Sequence, residues 1–326
     1  MIPARPKQAQ SRRLLAPLFA LTVALSATVA ACQGCREPTT PSGEARGKPD
    51  KPTLRLYVTS AIAGALEPCG CSKDQLGGVQ HAAAFMESER AAAPNAWMVQ
   101  AGPLYFLDPA MRDDEKQQVL WKAEAIAQAA KRMNLLAWAP GFNDWAGGSE
   151  MLAKLKDMSG AALLAGNLEG APGAAPTLVR EVAGVKVGFF GLSEPKDKVG
   201  RTPDGVKIKP IAETAKAAID DLTRQGARIL IGILAVPRGD ALRLADNFPE
   251  ISVLVLGKPA EAGDTNDAPK PPVLLGNTLV VETSNHLQTM AVVDLFVVPG
   301  SDKKDAKITF QDAGGVAKAE DLLLLS

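Results

Sequence analysis

The chain has 326 residues, 46% of them hydrophobic and 22% charged, with 36 basic and 36 acidic side chains. This composition excludes a disordered chain and a fibrous repeat, and the balanced charge removes the electrostatic reason to expect nucleic acid as a partner. The balance is uneven along the chain. Residues 1–31 hold Arg5, Lys7, Arg12 and Arg13 and no acid, so the rest carries a net charge of −4. Only two histidines occur, His81 and His286. That count restricts the chemistry more than any other, because imidazole is the commonest transition-metal ligand and general base.

Arg12 and Arg13 precede an uncharged run from Leu14 to Ala31, which ends in Val29-Ala30-Ala31-Cys32. A basic start, an apolar stretch and small residues before the cut site make a secretory signal. The last four residues resemble the lipobox of bacterial lipoproteins, which implies cleavage before Cys32 and lipid attachment to its thiol. The competing reading is a transmembrane anchor. Pro17 and the many Ala, Ser and Thr residues make the run a poor span. Residues 32–53 contain Pro38, Pro41, Pro49 and Pro52 without apolar periodicity and read as a flexible tether. The resemblance implies a bacterial envelope protein that meets the membrane through its N-terminal lipid. Gln33, in place of an aspartate after the cysteine, points to the outer membrane by the enterobacterial sorting rule.

From Leu54 the chain alternates strand-like and helical patterns, which predicts one α/β domain over residues 54–326. Strands are predicted at Leu54–Thr59, Trp97–Gln100, Leu135–Ala139 and Ala161–Ala165, with helices at Leu76–Arg90 and Asp113–Met133. The second helix carries acids at its start and Lys131 and Arg132 in its last turn. Leu178–Val182 and Val185–Gly191 are predicted as a hairpin. Helix Ile211–Gln225, strand Ile229–Leu234, helix Gly239–Phe248 and strand Val253–Leu256 repeat the rhythm. Strands at Pro272–Leu275, Thr278–Glu282 and Met290–Val297 close the pattern.

Leu54–Gly78, LRLYVTSAIAGALEPCGCSKDQLGG, resembles the opening of metallophosphoesterases of the 5′-nucleotidase type, in the bacterial branch that carries Glu-Pro-Cys-Gly-Cys and Leu-Gly-Gly. VQAGPLYF (Val99–Phe106), PGFNDWAGG (Pro140–Gly148), AGNLEG (Ala165–Gly170) and VKVGFFGLS (Val185–Ser193) follow in the family's order. ILIGILAV and VLVLGKPAEAGD come next. The resemblance implies an αββα sandwich of two mixed sheets flanked by helices, and a site that holds two divalent metals at strand ends. Position by position, this chain lacks the ligands. Ala61 and Ala63 stand for the Asp-x-His pair, Pro103 for the bridging Asp, and Phe142 and Asn143 for Asn-His. The lone His falls at about Ile233, and Gly-His-x-His reads Gly257-Lys258-Pro259-Ala260. Two such ions need roughly six to eight Asp, His and Asn side chains, and two histidines do not supply them.

The reading is therefore a non-catalytic, membrane-tethered protein that binds a protein or small molecule and holds no cofactor. Its cleft, lined by Ala61, Ala63, Phe142, Trp145 and Ile233, is expected to be apolar, either open to a small apolar group or a peptide or packed solid. One alternative is a phosphoesterase with an altered site using Glu67, Asn143, Asp144 and Asn167. Another is a thiol redox or metal-handling protein acting through Cys69 and Cys71. That pair reads as a disulfide, as two free thiols or as metal thiolates, in that order: an oxidising envelope favours pairing, and although an extended Cys-x-Cys is slightly too long for an unstrained bridge, Gly70 permits a turn that shortens it. Cys35 lies in the tether. With little sequence after Phe296, the C-terminal substrate domain that many 5′-nucleotidases carry is not expected here.

Overall fold

The computed structural model describes residues 51–68, 76–259, 270–297, 308–310 and 322–324. In chain order, β1 (Leu54–Ser60), α1 (Val79–Ser88), β2 (Ala96–Gly102), α2 (Lys116–Arg132) and β3 (Leu135–Pro140) come first. A 3₁₀ turn (Phe142–Trp145), α3 (Gly148–Ser159), β4 (Ala162–Leu164), β5 (Leu168–Glu169), β6 (Ala174–Ala175), β7 (Thr177–Val182) and β8 (Val185–Ser193) follow. Next are β9 (Lys207–Ile208), α4 (Ile211–Arg224), β10 (Ile229–Ala235), α5 (Arg238–Asn247) and β11 (Val253–Leu256). The remaining strands are β12 (Lys270–Leu275), β13 (Thr278–Glu282), β14 (Thr289–Val297), β15 (Ile308–Phe310) and β16 (Leu322–Leu324).

Two large mixed sheets result. The first runs β15-β14-β1-β2-β3-β4-β6, with β16 also paired to β14; the second runs β12-β13-β11-β10-β8-β7. β1 to β4 are parallel, and β14 lies antiparallel beside β1. In the second sheet β8, β10, β11 and β13 are parallel, with β7 and β12 as antiparallel edges. β7 and β8 are the predicted hairpin.

The central strands read as continuous apolar runs because both of their faces are covered. In β10, Ile231 and Ile233 point into the layer between the sheets, beside Val99, Ala101 and Ala139 of the first sheet. Leu230 and Leu234 point the other way, onto α4 and α5. The outer face of the first sheet packs on α1, α2 and α3 through Met98, Trp138, Ile126 and Leu152. Helix, sheet, sheet, helix is the predicted order of layers.

Element boundaries differ from the sequence expectation where turn chemistry intervenes. α1 begins at Val79, not Leu76, because Gly77 and Gly78 have φ of 84° and 79°. A side chain at Gly78 would sit 2.6 Å from the Pro68 nitrogen. α2 begins at Lys116, so Asp113, Asp114 and Glu115 precede its first turn; Arg112 pairs with Asp114, and the Glu115 N–H bonds the Arg112 carbonyl.

Phe189 tests the two-layer core. Its ring is fully buried and meets Trp97 of the opposite sheet edge-to-face at 5.9 Å. Phe189→Ala should cost about 3–5 kcal/mol in urea unfolding. A cost below about 1 kcal/mol would mean that the sheets do not pack through this ring.

Candidate functional site

The positions carrying the family resemblance lie where the strands end. After β1 the chain turns through Ala61, Ile62, Ala63 and Gly64. The Ala61 N–H donates to the Ala101 carbonyl (2.9 Å), Ala63 to Pro103 (2.9 Å) and Gly64 to Leu104 (3.1 Å). The β1 loop is thereby zipped onto the end of β2. From the other side the His286 N–H donates to the Ala61 carbonyl at 3.1 Å. Ala61, Ala63, His286 and Leu287 all have left-handed backbone, with φ of 45°, 49°, 56° and 57°. For a residue with a Cβ this conformation costs about 1 kcal/mol each, and it persists only where the surroundings impose it. Four of the six such non-glycine residues among the described residues meet at this point.

Polar side chains around the strand ends bond to neighbouring loops. The Ser60 hydroxyl donates to the Leu256 carbonyl at 2.6 Å, and Ser60 and Thr283 exchange N–H to hydroxyl bonds at 2.8 and 3.1 Å. Asn167, fully buried, donates to the Ser193 carbonyl at 2.7 Å and accepts from the Ser193 N–H at 2.9 Å. The Ser193 hydroxyl donates to the Pro140 carbonyl. The Gln100 amide donates to the carbonyls of Ala101, Gly102 and Pro103 at 3.1 to 3.2 Å. Asn143 is 4% exposed and donates to the Leu107 carbonyl.

Asp144 is the one fully buried carboxyl at this end among the described residues. It accepts the N–H groups of Leu104 and Tyr105 at 2.9 Å on one oxygen and that of Gly141 at 3.0 Å on the other. It therefore joins the β2 and β3 loops. Burial pushes its pKa up to about 7 from an ordinary 3.8, against the pull of those three donors.

These contacts decide where each sequence-assigned residue lies. Ala61, Ala63, Pro103 and Asn143 come together around the loops after β1, β2 and β3. Lys258 joins them through backbone, since a side chain added at Gly102 would meet the Lys258 carbonyl oxygen at 3.0 Å. Phe142 is half-buried beside Asn143. Ile233 is a correction. It lies two residues before the end of β10, paired with Gly191 and Val255, fully buried between the sheets. The end of that strand is Ala235, followed by Val236. Of the two forms expected for the cleft, Ala61, Trp145 and Ile233 take the solidly packed one, at 0%, 8% and 0% exposure. Cys32, Cys69, Cys71 and Ala260 lie outside the described residues.

The side chains do not fit a pair of divalent metals. The positions facing the loops are Ala, Pro, Phe and Lys, and no group of three His, Cys, Asp or Glu that could hold an ion occurs among the described residues. The alternative set does not converge as ligands either. Asn143, Asp144 and Asn167 are spent on backbone groups, while Glu67 is exposed and pairs with Lys122 at 3.3 Å. His81, in α1, bonds the carbonyl of Gly77, just before that helix, at 2.9 Å.

A cavity of about 370 Å³ opens beside Ala63. Tyr105, Phe106, Leu107 and Met111 form its apolar wall, Glu67 and Lys122 stand at its rim, and His286 closes one side. His286 is the residue that sequence reasoning missed. It lies more than 200 positions from Ala63, and only the pairing of β14 with β1 brings its loop here.

No protein-family model and no curated protein matches the sequence. Solved structures do. The NAD nucleotidase of Haemophilus influenzae is 18% identical with a TM-score of 0.61, over 78% of this chain and 49% of that one. A 5′-nucleotidase precursor from Thermus thermophilus is 19% identical with a TM-score of 0.60, over 83% and 54%. The calcineurin-like phosphoesterase YfkN of Bacillus subtilis is 17% identical with a TM-score of 0.59, over 81% and 92%. The chain thus has the fold of the 5′-nucleotidases and calcineurin-like phosphoesterases, and it spans about half the length of the first two.

The buried carboxyl makes a pH prediction. Between about pH 3.8 and 7 the unfolded chain has released the Asp144 proton and the folded chain keeps it. Folding then takes up a proton, and stability falls as pH rises, by up to about 1.4 kcal/mol per unit. Urea unfolding from pH 4.5 to 7.5 should show this slope in the wild type relative to Asp144→Asn. Parallel profiles would mean that Asp144 is ionised throughout.

Proposed function

We propose that this protein is a non-catalytic, lipid-anchored envelope protein that uses a phosphoesterase fold for binding or scaffolding. The observation that supports this reading is the fate of the strand ends. The resemblance expects Asp, His and Asn there to hold two ions. Ala61, Ala63, Pro103 and Lys258 stand in those places, and Asp144 and Asn167 beside them are hydrogen-bonded to backbone. The family's chemistry needs those ions to activate a water and to neutralise charge on a phosphoryl oxygen, and no group of three His, Cys, Asp or Glu that could hold one occurs among the described residues. The mixed apolar and charged cavity beside Ala63 is the natural seat for a bound group, since a ligand pocket combines an apolar wall with a few fixed polar contacts. The membrane part of the reading rests on the lipobox-like Val29-Ala30-Ala31-Cys32. Among the described residues no helix is long and apolar enough to cross a bilayer.

Metal content and phosphatase activity of the full chain test the first part. After loading with Mn²⁺, Fe²⁺ or Zn²⁺ and desalting, the protein should retain far less than one equivalent and show no chelator-sensitive hydrolysis of nucleotides or aryl phosphates. About two equivalents, with activity lost to chelator, would overturn it.

The anchor is tested at Cys32. Cys32→Ala should accumulate as the unprocessed precursor or leave the membrane fraction, and the wild-type mature mass should include acyl chains. A mature mass without lipid, with unchanged fractionation in the variant, rejects the lipoprotein reading.

A further inference from the structure

At the opposite end of the first sheet, where its strands begin, lies a second cavity of about 480 Å³. It opens between the C-terminal ends of α1 and α2, over the segments that lead into β2 and β3. Tyr57, Ala83, Met86, Ala96 and Met133 make an apolar floor, and Met is the side chain that best adapts its shape to a flexible guest. Arg90 and Arg132 stand at the mouth, both exposed. Lys131 is exposed beside Arg132.

The acidic groups at this end are largely matched. Glu87 lines the cavity and pairs with Arg90. Glu89 and Asp294 are held by Arg55, at 2.8 and 2.6 Å. That leaves the mouth with a cationic excess from Arg132 and Lys131. Lys51 adds to it, with its ammonium donating to the Ala91 carbonyl at 2.9 Å, one residue from the cavity-lining Arg90.

The same end is where the chain enters the domain. Pro52 is buried, the Thr53 N–H donates to the Leu295 carbonyl at 2.9 Å, and Asn95, just before β2, bonds the Thr53 carbonyl at 3.3 Å. The residues back to Cys32 number about twenty, a chain that reaches roughly 70 Å at most. A domain held by that segment presents its strand-start end within reach of the bilayer.

We propose that this cavity takes an acyl chain of an anionic phospholipid, with the headgroup on Arg90 and Arg132, so that the domain rests on the membrane by the end from which its N-terminal segment leaves. The apolar floor matches the acyl chain, the cationic mouth matches a phosphate-bearing headgroup, and the position beside the entry of the chain makes a bilayer the occupant. The inference goes beyond the binding role proposed above and does not depend on whether the strand-end site is catalytic. It needs only that the N-terminal segment be membrane-held.

The test uses the full chain reconstituted through its N-terminal segment into vesicles of phosphatidylglycerol or of phosphatidylcholine. Each carries a trace of phospholipid with a photoactivatable acyl chain, and adducts are mapped by mass spectrometry. Adducts should concentrate on residues 83–96 and 132–134 in phosphatidylglycerol and fall to a small fraction in phosphatidylcholine. Arg90→Gln/Arg132→Gln should reduce them about 25-fold, since each basic group near an anionic surface is worth about fivefold. Both arginines are exposed, so the variant keeps its fold; an unchanged thermal midpoint checks this. Met86→Trp, which fills the floor, should reduce adducts without changing their dependence on headgroup charge. Equal labelling in the two vesicle types, labelling spread over the surface, or adducts indifferent to the arginine changes would overturn the proposal. None of these outcomes bears on metal content or phosphatase activity, which decide the other reading.

Discussion

Where β2 and β11 end, the two sheets touch backbone to backbone. A side chain at Gly257 would come within 2.3 Å of the Gly102 nitrogen and 2.7 Å of the Ala101 oxygen, and one at Gly102 would reach the Lys258 carbonyl at 3.0 Å. Only glycine fits at both points, and Gly102 also has a φ of 90°. This contact fixes the spacing of the sheets at the end where the resemblance places its chemistry. The loops after β1 and β3 then pack against the same point. Gly141 lies so close to Pro103 that a Cβ would sit 2.4 Å from the proline ring. Proline at position 103 offers neither a carboxylate nor a backbone donor, so the loop gains packing and no metal ligand there.

Loops held this closely bury backbone groups that need partners, because an orphaned donor or acceptor costs about 1–3 kcal/mol. Ser60, Asn167, Gln100, Ser193 and Asp144 supply them. Asp144 shows the compromise. Three N–H donors favour the carboxylate, while full burial disfavours its charge, and burial prevails in raising the pKa. Its function is to hold loops, and it does so as an acceptor in either protonation state.

Much of the fold was legible in the sequence because its signals are local. Runs such as Ile229–Ala235, apolar on both faces, announce buried parallel strands, and Val182 and Val185 bracket a tight turn at Ala183-Gly184. The ordered matches from Leu54 onward carried the layer architecture. Legibility ended where a residue's role depends on distant chain. Ile233 was placed only by approximate position in its motif, and β10 runs two residues further before it leaves the sheet, which buries Ile233 between the layers. His286 carries no motif; the pairing of Ala291 with Val58 brings its loop to Ala61. The apolar cleft expected from Ala61, Trp145 and Ile233 was inferred from side-chain type alone. Small side chains at strand ends let neighbouring backbone close in, so a cavity forms instead where Tyr105 and Phe106 hold the α2 side apart from the first loop.

The two ends of the sandwich thus differ in how they use burial. β1 has seven residues, which separates its ends by roughly 20 Å. At its far end the polar groups are turned inward onto backbone, and the accessible feature is the cavity between Ala63, Tyr105 and Lys122. At its near end Arg55 pairs with Asp294 and Glu89, which leaves exposed Arg90, after α1, and Lys131 and Arg132, at the end of α2, without those acids as competitors. The consequence is directional. A bilayer at the strand starts and a ligand at the strand ends would lie on opposite sides of the domain, so neither would obstruct the other. A partner approaching from the side away from such a bilayer would then meet the loops around Ala63 and His286 first. In that arrangement the closed strand ends are the outward surface of the protein, and their rigidity keeps the cavity beside them in one shape.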